Sequence, residues 1–205
     1  MSVRNIGSFI PMSDQIIADE AQAQEIVRRL LVRGVRKELE RQVFAGAGTG
    51  QLLTGFSVVS GKQSDYDGTS DSSPAIAFDA GAGEYEDTAE REPAVAIMSA
   101  TTWAAYSSSA TTTGALVGPR QLAFDGVTRR TAWGTPVVVS SLIPNGDIWL
   151  IDPSDVVLYD RKQAGVEMGY INDDFQKMQQ SLRAYVRAAL VCWEPMSIKR
   201  IQVNV

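Results

Sequence analysis

The stretch between Ser13 and Gly46 constrains the fold of this chain most, because its apolar residues recur every three or four positions. That spacing predicts one buried stripe along an α-helix and does not suit a strand. Ser13 is a favourable N-cap residue, and Gly46 is a favourable end. A continuous helix of roughly 30 residues, at ~1.5 Å each, would be about 45 Å long. For a chain of 205 residues, such a rod predicts an extended, flat subunit with no compact core around it.

The opposite face of the predicted helix is basic. It carries five cations, which are Arg28, Arg29, Arg33, Arg36 and Lys37. Several of them lie four residues apart and repel one another by a few tenths of a kcal/mol per pair. One interpretation is an ordinary solvated face. The other is a surface that meets acidic groups, either elsewhere in the chain or on a neighbouring copy.

Composition limits the classes of partner. The net charge of -5 argues against a general nucleic-acid binder, because neutralising phosphates requires a basic surface, so any DNA would be enclosed and not gripped. Cys192 is the only cysteine, which excludes an intrachain disulfide. No apolar run reaches the ~20 residues that cross a bilayer, and the N-terminus lacks a signal pattern. We therefore expect a cytoplasmic protein with no membrane partner.

The sequence contains no histidine, which removes the most common general base and metal ligand. We therefore predict a protein that is not an enzyme. The alternative is a small hydrolase with a Ser or Asp nucleophile and with Asp152 and Asp155 as bases, although no motif supports it.

Two loops have a superficial likeness to ligand sites. The glycines of AGAGTG, residues 45–50, follow a helix and lack the Lys-Ser/Thr ending of a phosphate loop, so they predict helix termination. Asp65, Asp67 and Asp71 fail the spacing of a calcium-binding EF-hand and predict turns. We accordingly predict no cofactor and no metal.

The remaining segments alternate between loops and strands. Ser57 to Gly83 is polar and predicts a loop with at most short elements. GEYEDTAERE, residues 83–92, predicts a short acidic helix that is a candidate partner for the basic helix face. AVAIMS predicts a buried strand, TTWAAYSS a helical turn, and residues 128–161 two or three strands.

The strongest strand pattern lies near the C-terminus. In SLRAYVRAALVCW, residues 181–193, apolar positions alternate strictly, which predicts a long strand with one apolar face packed on the long helix. Pro195 ends this strand, and SIKRIQVNV predicts its shorter partner. At the other terminus, alternating apolar residues in MSVRNIGSF suit a strand end or an arm.

In this order, these segments resemble the HK97-type major capsid proteins of tailed phages. The matching segments are FIPMSDQII, LVRGVRKELERQVFAGAGTGQLLTGF, WGTPVVVSSLIPNG, DPSDVVLYDR and the ribbon from Phe175 to Trp193, followed by EPMSIKRIQV. The resemblance implies an α+β fold, the HK97-like capsid fold. Residues 1–48 would supply the spine helix of a peripheral domain, 49–160 an axial α/β lobe, and 161–205 the β ribbon that returns to the peripheral domain.

The resemblance also implies a function. The chain would be a structural subunit of an icosahedral phage or prophage capsid, built from pentamers and hexamers of itself around double-stranded DNA. Portal and scaffold or protease proteins would be its partners, and the virion would be assembled in the host bacterial cytoplasm. The alternative in the same fold is an encapsulin-type nanocompartment shell that encloses enzymes.

Two further sets of interface residues are expected besides the basic helix face. Axial contacts would come from residues 118–134, and three-fold contacts from the turn at 169–177. The charged candidates in these two segments are Arg120, Arg129, Arg130, Asp173, Asp174 and Lys177. The alternative is that they are ordinary exposed residues, whose ion pairs are weak.

The sequence departs from the family's pattern at two places. Family members have an N-terminal arm and an extended loop ahead of the long helix, so the resemblance implies a truncated or short form that is impaired in forming closed shells. Some members also cross-link subunits through a lysine and an asparagine, assisted by a glutamate. The asparagine and glutamate positions fall at Met178 and Tyr185, so no cross-link is expected.

Overall fold

We describe residues 3–15, 21–109 and 130–205 in a computed structural model of the chain. The chain divides into two compact units. The first, which we call the helix–ribbon unit, comprises Met1–Val58 and Leu158–Val191. The second, the mixed-sheet unit, comprises Val59–Val157 and Cys192–Val205.

The helix–ribbon unit contains one long helix and a three-stranded sheet. Its elements are β1 (Arg4–Ser13), α1 (Ala21–Ala45), β7 (Val156–Gly169) and β8 (Gln179–Cys192). The strand order is β1-β8-β7, so β8 lies in the centre. Strand β1 runs antiparallel to β8, with Ile6 opposite Val186. Of the two expectations for the N-terminal residues, a strand end or an arm, the structure shows a strand, which continues to Ser13.

The core of this unit forms where α1 meets one face of the sheet. Leu31 and Val35, one turn apart on α1, belong to the same buried cluster as Leu182, Ala184 and Val186 of β8. The prediction that an apolar face of residues 181–193 packs on the long helix is confirmed for residues 182–186. The strict alternation ends beyond them, because the adjacent Ala188 and Ala189 are both buried. Residues 14 and 15 are helical, whereas residues 16–20 lie outside the described part of the chain, so the continuity of the predicted helix is described only from residue 21 to residue 45.

The mixed-sheet unit is built on a six-stranded sheet with the order β2-β9-β6-β3-β5-β4. Its strands are β2 (Tyr66–Gly68), β3 (Val95–Met98), β4 (Thr131–Ala132), β5 (Thr135–Val139), β6 (Asp147–Ile151) and β9 (Ile198–Val203). Its helices are α2 (Pro74–Ala89) and α3 (Ala100–Ser107). All five residues of β6 are buried, as expected for a strand in the middle of a sheet.

The helix α3 was predicted correctly. Ser99 accepts a hydrogen bond at its side chain from the backbone N–H of Thr102, which caps the helix. The rings of Trp103 and Tyr106 stack with centroids 5.6 Å apart, and Tyr106 is fully buried in the core. The strand AVAIMS that precedes this helix is β3, also as predicted.

The prediction of a loop from Ser57 to Gly83 is wrong, because α2 begins at Pro74. Ser73 caps this helix, and Pro74 occupies its first turn, where a missing N–H costs nothing. The helix packs closely because small residues face the sheet. A Cβ on Gly81 would lie 2.5 Å from the Cδ1 of Ile201. Gly81, inside the segment predicted as a loop, therefore allows the close contact between α2 and β9.

The strand predicted for residues 197–205 forms, but its predicted partner was wrong. Strand β9 runs antiparallel to β6 and parallel to β2, not beside the long strand of the ribbon. A short 3₁₀ turn at Pro195–Ser197 separates β8 from β9. Ile198, Lys199 and Ile201 are all buried. A strand that is covered on both faces belongs in the middle of a sheet, and β9 takes that position.

Candidate assembly surfaces

The basic face of α1 is open to solvent. Arg29, Arg33, Arg36 and Lys37 are exposed, and Arg28, which is half-buried, donates to the sulfur of Met168 at 3.9 Å. Arg29 lies 3.8 Å from Glu25, and both side chains are largely exposed, so that pair is weak. Within the described residues, Arg33, Arg36 and Lys37 have no carboxylate partner.

Apolar side chains interrupt the same face. Ile26 is 56% exposed and Leu30 is 58% exposed. Uncovered aliphatic side chains among unpaired cations are typical of a surface that a partner covers.

The acidic segment 83–92 forms the C-terminal part of α2 and its cap, not a separate helix. Its Glu84 accepts a hydrogen bond at 2.8 Å from the ammonium of Lys199, which is almost fully buried. Glu86, Asp87 and Glu90 are exposed. One of the predicted acidic groups therefore serves the mixed-sheet unit itself.

The predicted axial segment is described only at its end. Arg120 and Arg129 lie outside the described residues. Arg130 is exposed, and its backbone carbonyl accepts a hydrogen bond from Val137 at 2.8 Å. Trp133, next in the turn between β4 and β5, is 53% exposed and has a φ of 50°.

The predicted three-fold segment is the turn between β7 and β8. Asp173 and Lys177 lie 3.9 Å apart and are both largely exposed, so their ion pair contributes little. Asp174 has an internal role. Its carboxylate accepts hydrogen bonds from the hydroxyl of Ser181 at 2.7 Å and from the N–H of Ile171 at 3.0 Å. These two bonds, that of Ser181 foremost, lower the pKa of Asp174.

Four polar side chains that no sequence pattern connects form a cluster on the β7–β8 hairpin. Glu167 accepts hydrogen bonds from Lys162 at 2.9 Å, Arg183 at 2.7 Å and Tyr185 at 3.1 Å. The ammonium of Lys162 also lies 4.1 Å from the centroid of the Tyr185 ring. The hydrogen bond from Lys162, followed by those from Arg183 and Tyr185, lowers the pKa of Glu167 to about 2.

The position of Glu167 predicts a specific acid response. Its folded-state pKa lies below the ordinary value of 4.5, so its stabilising contribution is present above pH 4.5 and is lost as the pH falls towards about 2. We expect Glu167→Gln to lower the stability of the helix–ribbon unit at neutral pH and to flatten its pH dependence in that window. Urea unfolding at successive pH values measures this, with Asp160→Asn on the same strand as the control. An unchanged slope in Glu167→Gln would contradict the role of this cluster.

The carboxylates proposed as hydrolase bases belong to an ion-pair network. Arg91 lies 3.5 Å from Asp152 and 3.2 Å from Glu194, and it also binds Asp155. Hydrogen bonds from the backbone and hydroxyl of Ser154 are the main cause of the lowered pKa of Asp152. A general base that works near neutral pH needs a raised carboxyl pKa, so this arrangement favours a structural role.

The glycine loop is a turn, whereas the acidic segment predicted as turns is one only in part, because Asp67 lies in strand β2. Gly48 and Gly50 have φ values of 71° and 58°, and the N–H of Gly48 donates to the carbonyl of Leu53. Asp67 accepts hydrogen bonds from the backbone and hydroxyl of Thr69. In the described ranges, no group of three acidic or cysteine side chains is arranged to hold a metal ion, and no helix there is long and apolar enough to span a bilayer.

Known protein structures share this fold. The holo-SrpI encapsulin complex from Synechococcus elongatus PCC 7942 is 18% identical, with a TM-score of 0.73, over 98% of this chain and 74% of that one. A structure of Gordonia phage Cozz is 12% identical, with a TM-score of 0.74, over 100% of this chain and 71% of that one. A structure of Microbacterium phage Oxtober96 is 18% identical, with a TM-score of 0.71, over 98% of this chain and 73% of that one. The predicted HK97-like fold is confirmed.

The sequence itself also matches a family. The model of the phage capsid family matches residues 1–203, which include both units and all the segments on which the resemblance was based. No curated protein matches the chain.

Proposed function

Because this chain belongs to the phage capsid family, we propose that its copies tile into an icosahedral phage or prophage shell around double-stranded DNA. The chain is a structural capsid subunit. Capsid subunits as a class are not known to be enzymes. The family match over residues 1–203 is the observation that carries the proposal. The negative net charge agrees with enclosure of DNA without a general grip on its phosphates.

We assign the helix–ribbon unit to the peripheral domain and the mixed-sheet unit to the axial domain. The division into Met1–Val58 with Leu158–Val191 and Val59–Val157 with Cys192–Val205 supports this assignment. These bounds differ from the predicted 1–48, 49–160 and 161–205 chiefly at the C-terminus, where β9 completes the mixed sheet. Pentamers and hexamers would then form around the axial domain. Assembly would take place in the host cytoplasm, with portal and scaffold or protease proteins as partners.

A nanocompartment shell is the second candidate. The likeness to the SrpI encapsulin supports it, because that structure matches this chain as well as the phage structures do. The two candidates use the same shell architecture and differ in content. One would enclose DNA and the other an enzyme, so the contents of purified particles distinguish them.

The test is assembly of the full chain. We expect its mass in light scattering to rise with concentration, and rings or shells to be visible by negative-stain electron microscopy. Nuclease treatment of particles from cells then asks whether protected DNA is present, and mass spectrometry of the same particles detects protein cargo. A chain that stays monomeric at all concentrations would contradict both shell functions.

A further inference from the structure

The turn between β7 and β8 presents unusually exposed apolar side chains. Phe175 is 77% exposed and Met178 is 73% exposed. Tyr170, 55% exposed, stands with its ring edge-to-face against Phe175 at a centroid distance of 5.8 Å. Aromatic side chains and methionine are enriched in the buried centres of protein interfaces. Leaving so much apolar surface in water at one turn therefore indicates a contact site.

Hydrogen bonds hold this turn in one conformation. The carboxylate of Asp174 bonds to Ile171 and Ser181, and its carbonyl accepts from the N–H of Gln179 at 2.9 Å. The carbonyl of Met178 accepts from the N–H of Asp14 at 3.0 Å, which connects the turn to the residue after β1. Because the turn is preorganised, burying Phe175 in a partner would cost little ordering entropy.

A cavity lies on the same hairpin, next to the turn. Its volume is about 230 Å³. Its walls are formed by residues 168–171 together with the polar side chains of Glu167, Ser181 and Arg183. A cavity of about 150 Å³ is already sufficient for a benzene ring. The guanidinium of Arg183 at the wall is also a favourable neighbour for the face of an aromatic ring.

The charges near Phe175 and near the cavity are of opposite sign. Asp173, two residues before Phe175, has only the exposed pair with Lys177 in the described part of the chain. Arg183 also lines a second, open concavity of about 520 Å³, together with Tyr185 and Arg187. Within the described residues Arg187 has no carboxylate partner. Asp173 beside the exposed Phe175 of one copy would thus meet Arg187 of another copy, next to Arg183, which its own Glu167 already neutralises in part.

We propose that Phe175 of one subunit inserts into the cavity beside Gly169 of the next subunit, with Asp173 directed towards Arg183 and Arg187 of that neighbour. A contact in which Phe175 of each subunit enters the cavity of the following subunit is heterologous, and it forms a ring if the rotation between neighbours closes. This inference rests on the proposed shell function and gives the predicted three-fold turn an apolar contact in addition to charge.

Removing the side chain of Phe175 tests the proposed contact. We expect Phe175→Ala to weaken self-association by roughly 30-fold, as for an interface residue with a dominant contribution. The matched control is Trp193→Ala, which removes an aromatic side chain that is 67% exposed and belongs to the mixed-sheet unit. This variant should assemble normally. Sedimentation of both variants over a concentration series measures the difference. Equal self-association of Phe175→Ala and the wild-type chain would overturn the proposal.

Filling the cavity is a second, independent test. A Cβ on Gly169 meets no atom within 4 Å, and Gly169 lines the cavity, so Gly169→Phe should fold normally and place its ring at the cavity. We expect the same loss of self-association as in Phe175→Ala. Gly165→Phe adds the same ring on the same strand away from the cavity walls, where the nearest atom to a Cβ is 4.0 Å away, and should assemble. Assembly by Gly169→Phe would contradict the proposal.

Cysteine cross-linking separates this inference from the shell function. In a Cys192→Ala background, differently tagged Phe175→Cys and Gly169→Cys chains are mixed at high concentration and oxidised. We expect a disulfide between the two chains. A Phe175→Cys homodimer alone, or no product, would refute the heterologous contact even if the wild-type chain forms shells. A cross-link in a chain that never forms shells would support the contact and contradict the shell function.

Discussion

Replacing Arg33 with glutamate is expected to weaken assembly by about two orders of magnitude while making the monomer slightly more stable. Arg33 lies four residues from both Arg29 and Lys37, and it is exposed and unpaired in the described structure. Glutamate turns two repulsive pairs on the helix into two attractive ones, worth about 1 kcal/mol together. An acidic partner surface, in contrast, would meet a like charge. The two effects therefore have opposite signs.

Chemical denaturation of the monomer and light scattering of the assembling protein measure the two effects separately. Arg33→Gln makes half of the charge change that Arg33→Glu makes, so it should cause an intermediate loss of assembly. Arg161→Glu makes the full charge change at an exposed position on β7 and should assemble as the wild type does. If Arg33→Glu assembles normally, the basic helix face is simply solvated.

The largest expected effect on stability comes from Gly46→Ala at the end of α1. Here the loop that follows the helix returns against its last turn, with the N–H of Gly55 donating to the carbonyl of Gly46 at 2.9 Å. A Cβ on Gly46 would lie 2.5 Å from the carbonyl oxygen of Gln42 and closer still to that of Leu53. Both neighbours are backbone atoms that cannot move away as a side chain can. We expect a loss of about 3 kcal/mol or more in the helix–ribbon unit.

Gly34→Ala is the matched control, because the same substitution is made in the middle of the same helix. No atom lies within 4 Å of a Cβ at Gly34, so alanine should raise the stability of the unit by about 1 kcal/mol through its better helix propensity. Urea unfolding followed by circular dichroism measures both variants. Equal stability of Gly46→Ala and the wild type would show that the loop does not pack against the helix as described.

The sequence predicted the elements whose pattern is strong and local. The three-to-four spacing around Leu31 and Val35 identified α1, and the strict alternation from Leu182 to Ala188 identified β8 and its buried face. The helical turn predicted for residues 101–108 is α3, Ala100–Ser107. Each of these features depends on residues that are neighbours along the chain, so side-chain periodicity alone is sufficient.

The predictions that were wrong involve contacts between distant segments. The start of α2 was predicted as part of a polar loop, because the packing of this helix against Ile201, far away in sequence, leaves no local pattern. The hydrogen-bonded cluster of Lys162, Glu167, Arg183 and Tyr185 was missed for a similar reason. Its members come from two strands, and only the pairing of β7 with β8 brings them together.

The sequence by itself determined that this chain has a long amphipathic helix with a basic face, a ribbon strand with one apolar side, and no histidine-based chemistry. It also determined the family, because the matching segments follow one another in order. Only the tertiary structure decided which sheet β9 joins and which carboxylates are already paired. It also showed that the turn at Phe175 stands beside a cavity. Helix and strand periodicities are set by local geometry, whereas pairing and burial depend on which distant surfaces are left to cover one another.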